Sequence, residues 1–356
     1  MISLVFNAGS TSLKFRFGEA NAKPLWQGEA EGFGTDRARL TITDAGGAPI
    51  LEGQPATLHD AANAILKQAQ NSGQAPDGIG HRFVHGGASL TSHCRIDASV
   101  QAALQRASQL APLHNPPALE VLALAQKALP DCPQIACLDT VFHAQMPEVA
   151  RRFPLPSARL GQEIRRYGFH GLSCESILQQ LGTPPARLII AHLGGGASVT
   201  AVKDGVSVDT SMGLTPTGGV MMESRSGDLD PGLLLYLLRH GETVDSLEKM
   251  LNRESGVAGV SGHGGDLRQV RASGDSAARL ALEMFVTSIA KGIAAMATVL
   301  GGVDCLVFTG GIGQHDGQTR EAILARLSCL GSFAVAVLPA QEEDMIARHA
   351  ARILGV

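Results

Sequence analysis

Two short stretches constrain this chain more than any other: "FNAGSTSLKF" at residues 6–15 and "HLGGGASVTA" at 192–201. Each sets small or glycine residues between apolar, β-prone arms, a pattern that reads as a hairpin. Glycine in a strand loses more backbone freedom on folding than any other residue, so Gly194, Gly195 and Gly196 together imply a need for bare backbone. That need is met by a tight hairpin or by a cradle for a ligand. Two such hairpins, each opening an α/β half, predict an internally duplicated fold with related lobes. A length of 356 residues, long for one core, agrees with two domains.

Between the hairpins, "LHDAANAILKQAQ" and "PALEVLALAQKAL" carry helical spacing, and strands are expected near 78–84 and 134–138. Beyond the second hairpin, "DPGLLLYLLRHG" begins at Asp-Pro and ends at glycine, a capped helix. A long helix covers about 276–300, and "DCLVFTGGIG" (304–313) reads as a buried strand running into a glycine turn. "EEDMIARHAARILG" forms a last amphipathic helix ending at Gly355. Strands alternating with helices indicate the α/β class.

The net charge of −4 and an aromatic content of 4% argue against nucleic acid or an anionic membrane surface as partner. The N-terminus has no basic region before its apolar run, so no signal peptide is expected. The most apolar late segment, "IAKGIAAMATVLGGVD", is interrupted by Lys291 and Asp304 and is expected to be too short to span a bilayer. The six cysteines show no CxxC pair and no metal-ligand spacing, as reduced thiols of a cytoplasmic protein do.

Three glycine-rich turns follow apolar strands: Gly9 with Ser10 and Ser12, Gly194 to Gly196, and Gly310 to Gly313. Backbone N–H groups in such turns form anion-binding concavities. One alone is a structural turn as readily as a site; three in a duplicated α/β frame point to nucleotide phosphates. There is no GxxxxGK[ST], which excludes a P-loop enzyme. Polar residues stand out in "GHRFVHGG", "LAPLHNPPAL", "CLDTVFH", "RRYGFHG" and "MESRSGDLDPG". Each histidine reads equally as a buried hydrogen-bonded group or a functional one, and no pair has the spacing of a zinc site. Arg82 and Arg225 sit in turns where a planar guanidinium can grip an oxyanion, and Asp139 ends an apolar strand. These features fit a phosphoryl-handling site.

In order along the chain, "NAGSTSLKF", "HRFVHGG", "LAPLHNP", "DTVFH", "RRYGFHG", "HLGGGAS", "DTSMGLTP", "SRSGDLDPG", "GGDLR", "FTGGIG" and "LPAQEE" closely resemble the signature blocks of the acetate kinase family. The resemblance spans nearly the whole sequence. It implies a duplicated two-lobe, actin-like ATPase (ribonuclease H-like) fold with its active site in the cleft between lobes. It places residues 1–140 and 343–356 in an N-terminal lobe carrying the acyl substrate and Mg²⁺, and 141–342 in a C-terminal lobe for nucleotide binding and dimerisation. It implies a cytoplasmic homodimer that makes acetyl phosphate and ADP from acetate and ATP, with Mg²⁺ or Mn²⁺.

The resemblance also implies roles residue by residue. Asn7 and Glu342 hold or position the metal. Arg82 and Arg225 grip acetate and the migrating phosphoryl group, His170 stabilises the transition state, His114 supports the site, and Asp139 is the essential carboxylate. Val84, Leu113, Phe169 and Pro216, with Arg82, surround the substrate. Phosphate binding falls to Ser10, Ser12 and Lys14, and to His192, Leu193, Gly194, Gly195 and Gly196. The adenosine site draws on Asp266, Leu267, Arg268, Gly311, Ile312, Gly313, Gln314 and His315.

The sequence departs from the family pattern at several points. The hairpin usually reads HLGNGAS, and its Asn is here Gly195; the His of "GFHGTSH" is Cys174. "GIGEN" has become "GIGQH", the Glu expected after the "LTP" block is Gly218, and the segment before Glu342 is short. The charged site positions are all retained. Acetate kinase is the leading reading. A propionate kinase is the alternative within the class, because one methylene in an apolar pocket changes binding by only about 1–3 kcal/mol. A nucleotide-binding regulator without turnover is the alternative outside it, and a sugar kinase is disfavoured by the acyl kinase blocks.

Overall fold

The computed structural model describes residues 1–9, 11–161 and 163–355; Ser10 lies outside the described residues. The chain separates into two compact units, one of residues 1–141 with 341–356 and the other of residues 142–340. The boundary expected after 342 therefore falls before Gln341, and Glu342 belongs to the first unit.

The first unit is built on an eight-stranded sheet. Its strands are β1 (Ile2–Ala8), β2 (Ser12–Glu19), β3 (Trp26–Glu31), β4 (Arg39–Asp44), β5 (Pro49–Gly53), β6 (Gly78–Phe83), β7 (Cys94–Arg95) and β8 (Gln134–Leu138). The order is β5-β4-β3-β2-β1-β6-β8-β7. The first hairpin pairs Asn7 with Lys14 across the turn, as its small residues predict. β6 and β8 continue the sheet parallel to β1. Helices Leu58–Asn71 and Asn115–Ala128 close one core, where Phe6, Phe15, Phe17 and Trp26 meet Ile65, Leu66, Val121 and Leu122.

The second unit has five strands: β9 (Arg187–Leu193), β10 (Ala197–Lys203), β11 (Val206–Thr210), β12 (Cys305–Thr309) and β13 (Ala334–Val337). Their order is β11-β10-β9-β12-β13. Three antiparallel strands followed by two parallel ones repeat β3-β2-β1-β6-β8 strand for strand and sense for sense. β10 and β11 are likewise antiparallel, and β12 and β13 parallel. The two glycine or serine hairpins occupy equivalent places in the two sheets.

Two local expectations change. The turn after β12 is a helix, Gly310–His315, because Gly310, at φ 77°, lets the chain swing from extended Thr309 into the helix. The apolar segment near 290 belongs to the helix Ser276–Leu300, whose 25 residues are long and apolar enough to cross a membrane by length and composition. That overturns the expectation that it is too short. Its residues Ala281, Phe285, Ile289, Ile293, Met296 and Leu300 are buried in one stripe, and the helix packs on β9 and β10. Such a stripe is the helical period of a core element.

Candidate active site

In the first unit, the expected site residues converge at the carboxyl ends of the parallel strands, where open α/β sheets place their ligands. Asn7 comes from β1, Arg82 from β6, and Asp139 follows β8 directly. The fourth contributor is the C-terminal helix Glu342–Leu354, brought down on the sheet by small residues beneath it. A Cβ on Gly80 would stand 2.5 Å from the Ile346 side chain, so only glycine admits the helix there. Arg16, 2% exposed on β2, pins the same helix by an ion pair to Asp344 at 2.7 Å. It also donates to the carbonyls of Glu19 and Ala22.

Arg82 is gripped from two sides. Its Nε and Nη2 donate to the fully buried Asp139 carboxylate at 3.1 and 2.6 Å, and its Nη1 donates to Asn7 Oδ1 at 2.9 Å. Glu342 lies 3.7 Å from Nη1. Burial opposes the guanidinium charge, but the carboxylates of Asp139, Glu342 and Glu343 outweigh it and raise the arginine's pKa. The Asn7 amide nitrogen donates to Glu342 at 2.9 Å and to Glu343 at 2.6 Å. Burial and the charge of Glu342 push the Glu343 carboxyl up. Two carboxylates thus crowd the nitrogen of one carboxamide, and their oxygens are hard ligands of the kind Mg²⁺ or Mn²⁺ takes.

The other expected residues of this unit are more dispersed. Val84 is buried just past β6, and His114 caps the helix Asn115–Ala128 with Leu113 beside it, both half-buried. Asn115 ties these segments together, its amide bonding the backbone N–H and C=O of His85. Ser12 opens β2, and Lys14 is exposed on it.

The second unit forms its own cluster around the three glycines. His170 caps the helix Gly171–Leu181 in a left-handed conformation, φ 58°. Its Nδ1 lies 2.9 Å from Ser198 Oγ, and its ring stacks on His192 at 4.1 Å. His192 in turn meets Ser173 Oγ through Nδ1 at 2.8 Å. A Cβ on Gly196 would stand 3.3 Å from both Arg225 Nη1 and His170 Nε2, so two donor groups converge on bare backbone. Arg225 is anchored by Nη1 to the carbonyl of Pro216 at 3.1 Å. Phe169 and Pro216, expected to contact substrate, are buried in this unit, whereas Arg82, Val84 and Leu113 belong to the first.

The turn that presents His170 rests on a residue the sequence reading left unassigned. His143, 1% exposed, meets the Phe169 carbonyl through Nε2 at 3.0 Å and Ser207 Oγ through Nδ1 at 2.8 Å. Burial lowers its pKa to about 4, so the ring is neutral. A neutral imidazole has one N–H, which the carbonyl must receive, and the other nitrogen accepts from the serine hydroxyl. Gly168 fits beneath: at φ 76° it adopts a backbone that L side chains resist, and a Cβ there would press 2.6 Å into the His143 ring.

A cavity of about 590 Å³ in the second unit adjoins the glycines. Gly194, Gly195, Asp266, Leu267, Arg268, Gly311, Ile312 and His315 line it, as expected. Glu223, Arg271 and Asp316 also line it and were not anticipated. Leu193 is fully buried in the core, and Gly313 and Gln314 continue the helix Gly310–His315 away from the lining. Glu343 went unassigned in "AQEED" because a run of acids does not say which member turns inward. Glu223 stands two residues from Arg225 in a stretch read only for its arginine.

The sequence matches the profile of the acetokinase family over residues 2–350. The chain belongs to the acetokinase family. It is 44% identical to the acetate kinase of Thermosynechococcus vestitus, covering 92% of this chain and 87% of that one. It is also similar to the crystal structure of Porphyromonas gingivalis acetate kinase, with 35% identity, a TM-score of 0.86 and 99% of both chains covered. A propionate kinase from Francisella tularensis is similar at 34% identity and a TM-score of 0.91, again over 99% of both chains. The repeated β-order of this acetokinase-family chain is that of the duplicated actin-like ATPase fold.

Proposed function

We propose that this chain transfers the terminal phosphoryl group of ATP to the carboxylate of acetate, reversibly, giving acetyl phosphate and ADP. The observation that carries this reading is Arg82, held by Asp139 and Asn7 beside the Glu342 and Glu343 carboxylates, in a chain of this family. A carboxylic acid with a pKa near 4–5 is ionised at pH 7, so the nucleophile needs no general base. The demand is alignment and charge neutralisation around a loose phosphoryl transition state. Arg82, fixed in a planar fork, orients the carboxylate; Arg225 and His170 Nε2, converging at Gly196, meet the charge on the phosphoryl oxygens. Asp139 is already committed to Arg82 through three hydrogen bonds, which suits an orienting role and not a basic one.

Asn7, Glu342 and Glu343 are the residues that would hold Mg²⁺. When bound, the ion neutralises charge on the transferring phosphates. Burial and the charge of Glu342 raise the Glu343 pKa, and two carboxylates meeting at one carboxamide fit a place for a cation. The nucleotide enters the cavity beside Gly194 and Gly195, with backbone N–H groups of the hairpin receiving its phosphates.

We place the enzyme in the cytoplasm as a homodimer. All six cysteines are free thiols, in keeping with a reducing compartment. The helix Pro231–Arg239 buries none of its residues and exposes Leu233, Leu235, Tyr236 and Leu238, an apolar surface suited to a second copy. The catalytic reading is tested by trapping acyl phosphate as hydroxamate, offering acetate, propionate and butyrate with ATP, GTP or pyrophosphate. Acetate with ATP is expected to give the highest kcat/KM, and no product with any pair overturns the reading. The likeness to a propionate kinase supports propionate as the second substrate, read from the same ratio.

A further inference from the structure

We propose that Glu223 is a specificity-determining residue of the nucleotide cavity, accepting the ribose hydroxyls of the bound nucleoside triphosphate. The inference rests on the kinase reading above and deepens it. Glu223 lines the cavity with Gly195 and Asp266, and its Oε2 lies 3.4 Å from where a Cβ on Gly195 would stand. Its own Cβ is held in place by Gly265, where a Cβ would stand only 2.9 Å from it, and its carbonyl accepts from the Ala258 N–H at 2.8 Å. The position is therefore rigid, while among the described residues the carboxylate itself accepts no hydrogen bond.

The nearby cations are already engaged. Arg268 grips Asp266 through Nε and Nη2 at 3.0 and 2.8 Å. Arg271 donates to Asp316 at 2.9 Å and to Thr319 at 3.0 Å. A half-buried carboxylate with open acceptor sites facing a cavity is available to donors on a ligand, and burial makes those bonds worth more than in bulk water. Burial and the charge of Asp266 push the Glu223 pKa up, which is consistent with an unmet need for donors.

The ligand's geography decides which donors these are. Phosphates belong to the bare glycines, and a second negative charge beside them repels phosphate oxygens. The base belongs against the apolar side chains of Leu267 and Ile312 on the cavity wall. Between phosphates and base, a nucleotide offers its ribose, whose vicinal hydroxyls are neutral donors. A carboxylate with two free oxygens takes both, as acidic residues do for the ribose of bound dinucleotides.

The test compares ATP, 2′-deoxyATP and 3′-deoxyATP as phosphoryl donors to acetate, at saturating Mg²⁺, for the wild type and for Glu223→Ala. Hydrogen bonds to a charged acceptor correspond to roughly tenfold or more. The wild type is expected to favour ATP over either deoxynucleotide by about that factor in kcat/KM. Glu223→Ala is expected to bring the ratios close to one, by weakening ATP most and each deoxynucleotide, which keeps one of the two hydroxyls, by less. Glu223→Gln, of the same shape without the charge, covers the case in which the alanine variant does not fold and should lose most of the preference. Retention of the full preference in the variants overturns the proposal. So does an equal change for all three nucleotides that follows Mg²⁺ concentration, which would assign Glu223 to a cation instead. If the wild type makes no acyl phosphate from ATP, the kinase reading falls as well; if it does and the ratios do not move, only the role of Glu223 falls.

Discussion

Arg82 and Asp139 lock together across neighbouring strands, the guanidinium meeting both carboxylate oxygens while the aspartate is fully buried. The arginine is therefore presented in one orientation. Arg82→Ala is expected to lower kcat/KM on the order of 10²–10⁴, the range for loss of an electrostatic stabiliser. Asp139→Asn keeps the shape but removes the charge that orients Arg82, and should cost about 10²-fold with a raised KM for acetate. Near-normal rates in Arg82→Ala would refute the assignment.

Arg225 and His170 approach the same bare backbone at Gly196. Arg225→Ala should also lose on the order of 10²–10⁴ in kcat/KM, and Arg225→Lys should recover little, because a lysine cannot reproduce the planar fork. Gly196→Ala places a methyl 3.3 Å from both groups and is expected to lower kcat more than it raises the KM for ATP. Steady-state kinetics with each substrate varied separates the two effects. An unchanged kcat would mean that the two side chains do not act at this point.

His143 carries a pH signature. Its pKa is lowered from 6.5 to about 4 by burial, so the unfolded chain binds a proton there that the folded chain refuses. Its contribution to stability is complete above about pH 6.5 and is lost as the pH falls toward 4. The loss is on the order of 3 kcal/mol. Urea unfolding of the wild type and His143→Gln across that interval should show a shallower pH slope for the variant. Because His143 also holds the Phe169 carbonyl next to His170, the variant should lose kcat at neutral pH with little change in KM. Parallel slopes would remove His143 from this account.

Gly195 is open except for the Glu223 carboxylate, 3.4 Å from its missing Cβ. An asparagine there can donate its amide to Glu223 in preference to a phosphate. Gly195→Asn alone is therefore expected to change the KM for ATP by less than about threefold, while Gly195→Asn with Glu223→Ala lowers it. The double-mutant cycle should give a coupling of about 0.5–3 kcal/mol. Strict additivity would show that the two positions are independent.

Glu342 and Glu343 converge on Asn7. Glu342→Gln is expected to raise the Mg²⁺ concentration for half-maximal activity about tenfold, and to leave thermal unfolding close to that of the wild type. A Mg²⁺ titration that coincides with the wild type's would take Glu342 out of metal binding.

The fold was readable where signals are local. The hairpin at "HLGGGAS" and the helix Ser276–Leu300 follow from period and turn chemistry over a few residues, and both stand at the positions expected. Misreadings arose where burial decides. Membrane-length apolarity in Ser276–Leu300 reflects one face packed on a sheet, which composition cannot distinguish from lipid. The glycines after β12 permit a helix as well as a turn, and packing selected the helix.

The sequence by itself determined the duplicated α/β layout, the family, and the set of arginines, histidines and acids available for chemistry. Tertiary structure alone decided their partnerships: Asp139 on Arg82, His143 under the His170 turn, Glu343 joining Glu342, and Glu223 left open beside Gly195. The reason is distance along the chain. Asn7 and Glu342 are separated by 335 residues, and no local pattern records a hydrogen bond that exists only once a C-terminal helix lies down on the first sheet.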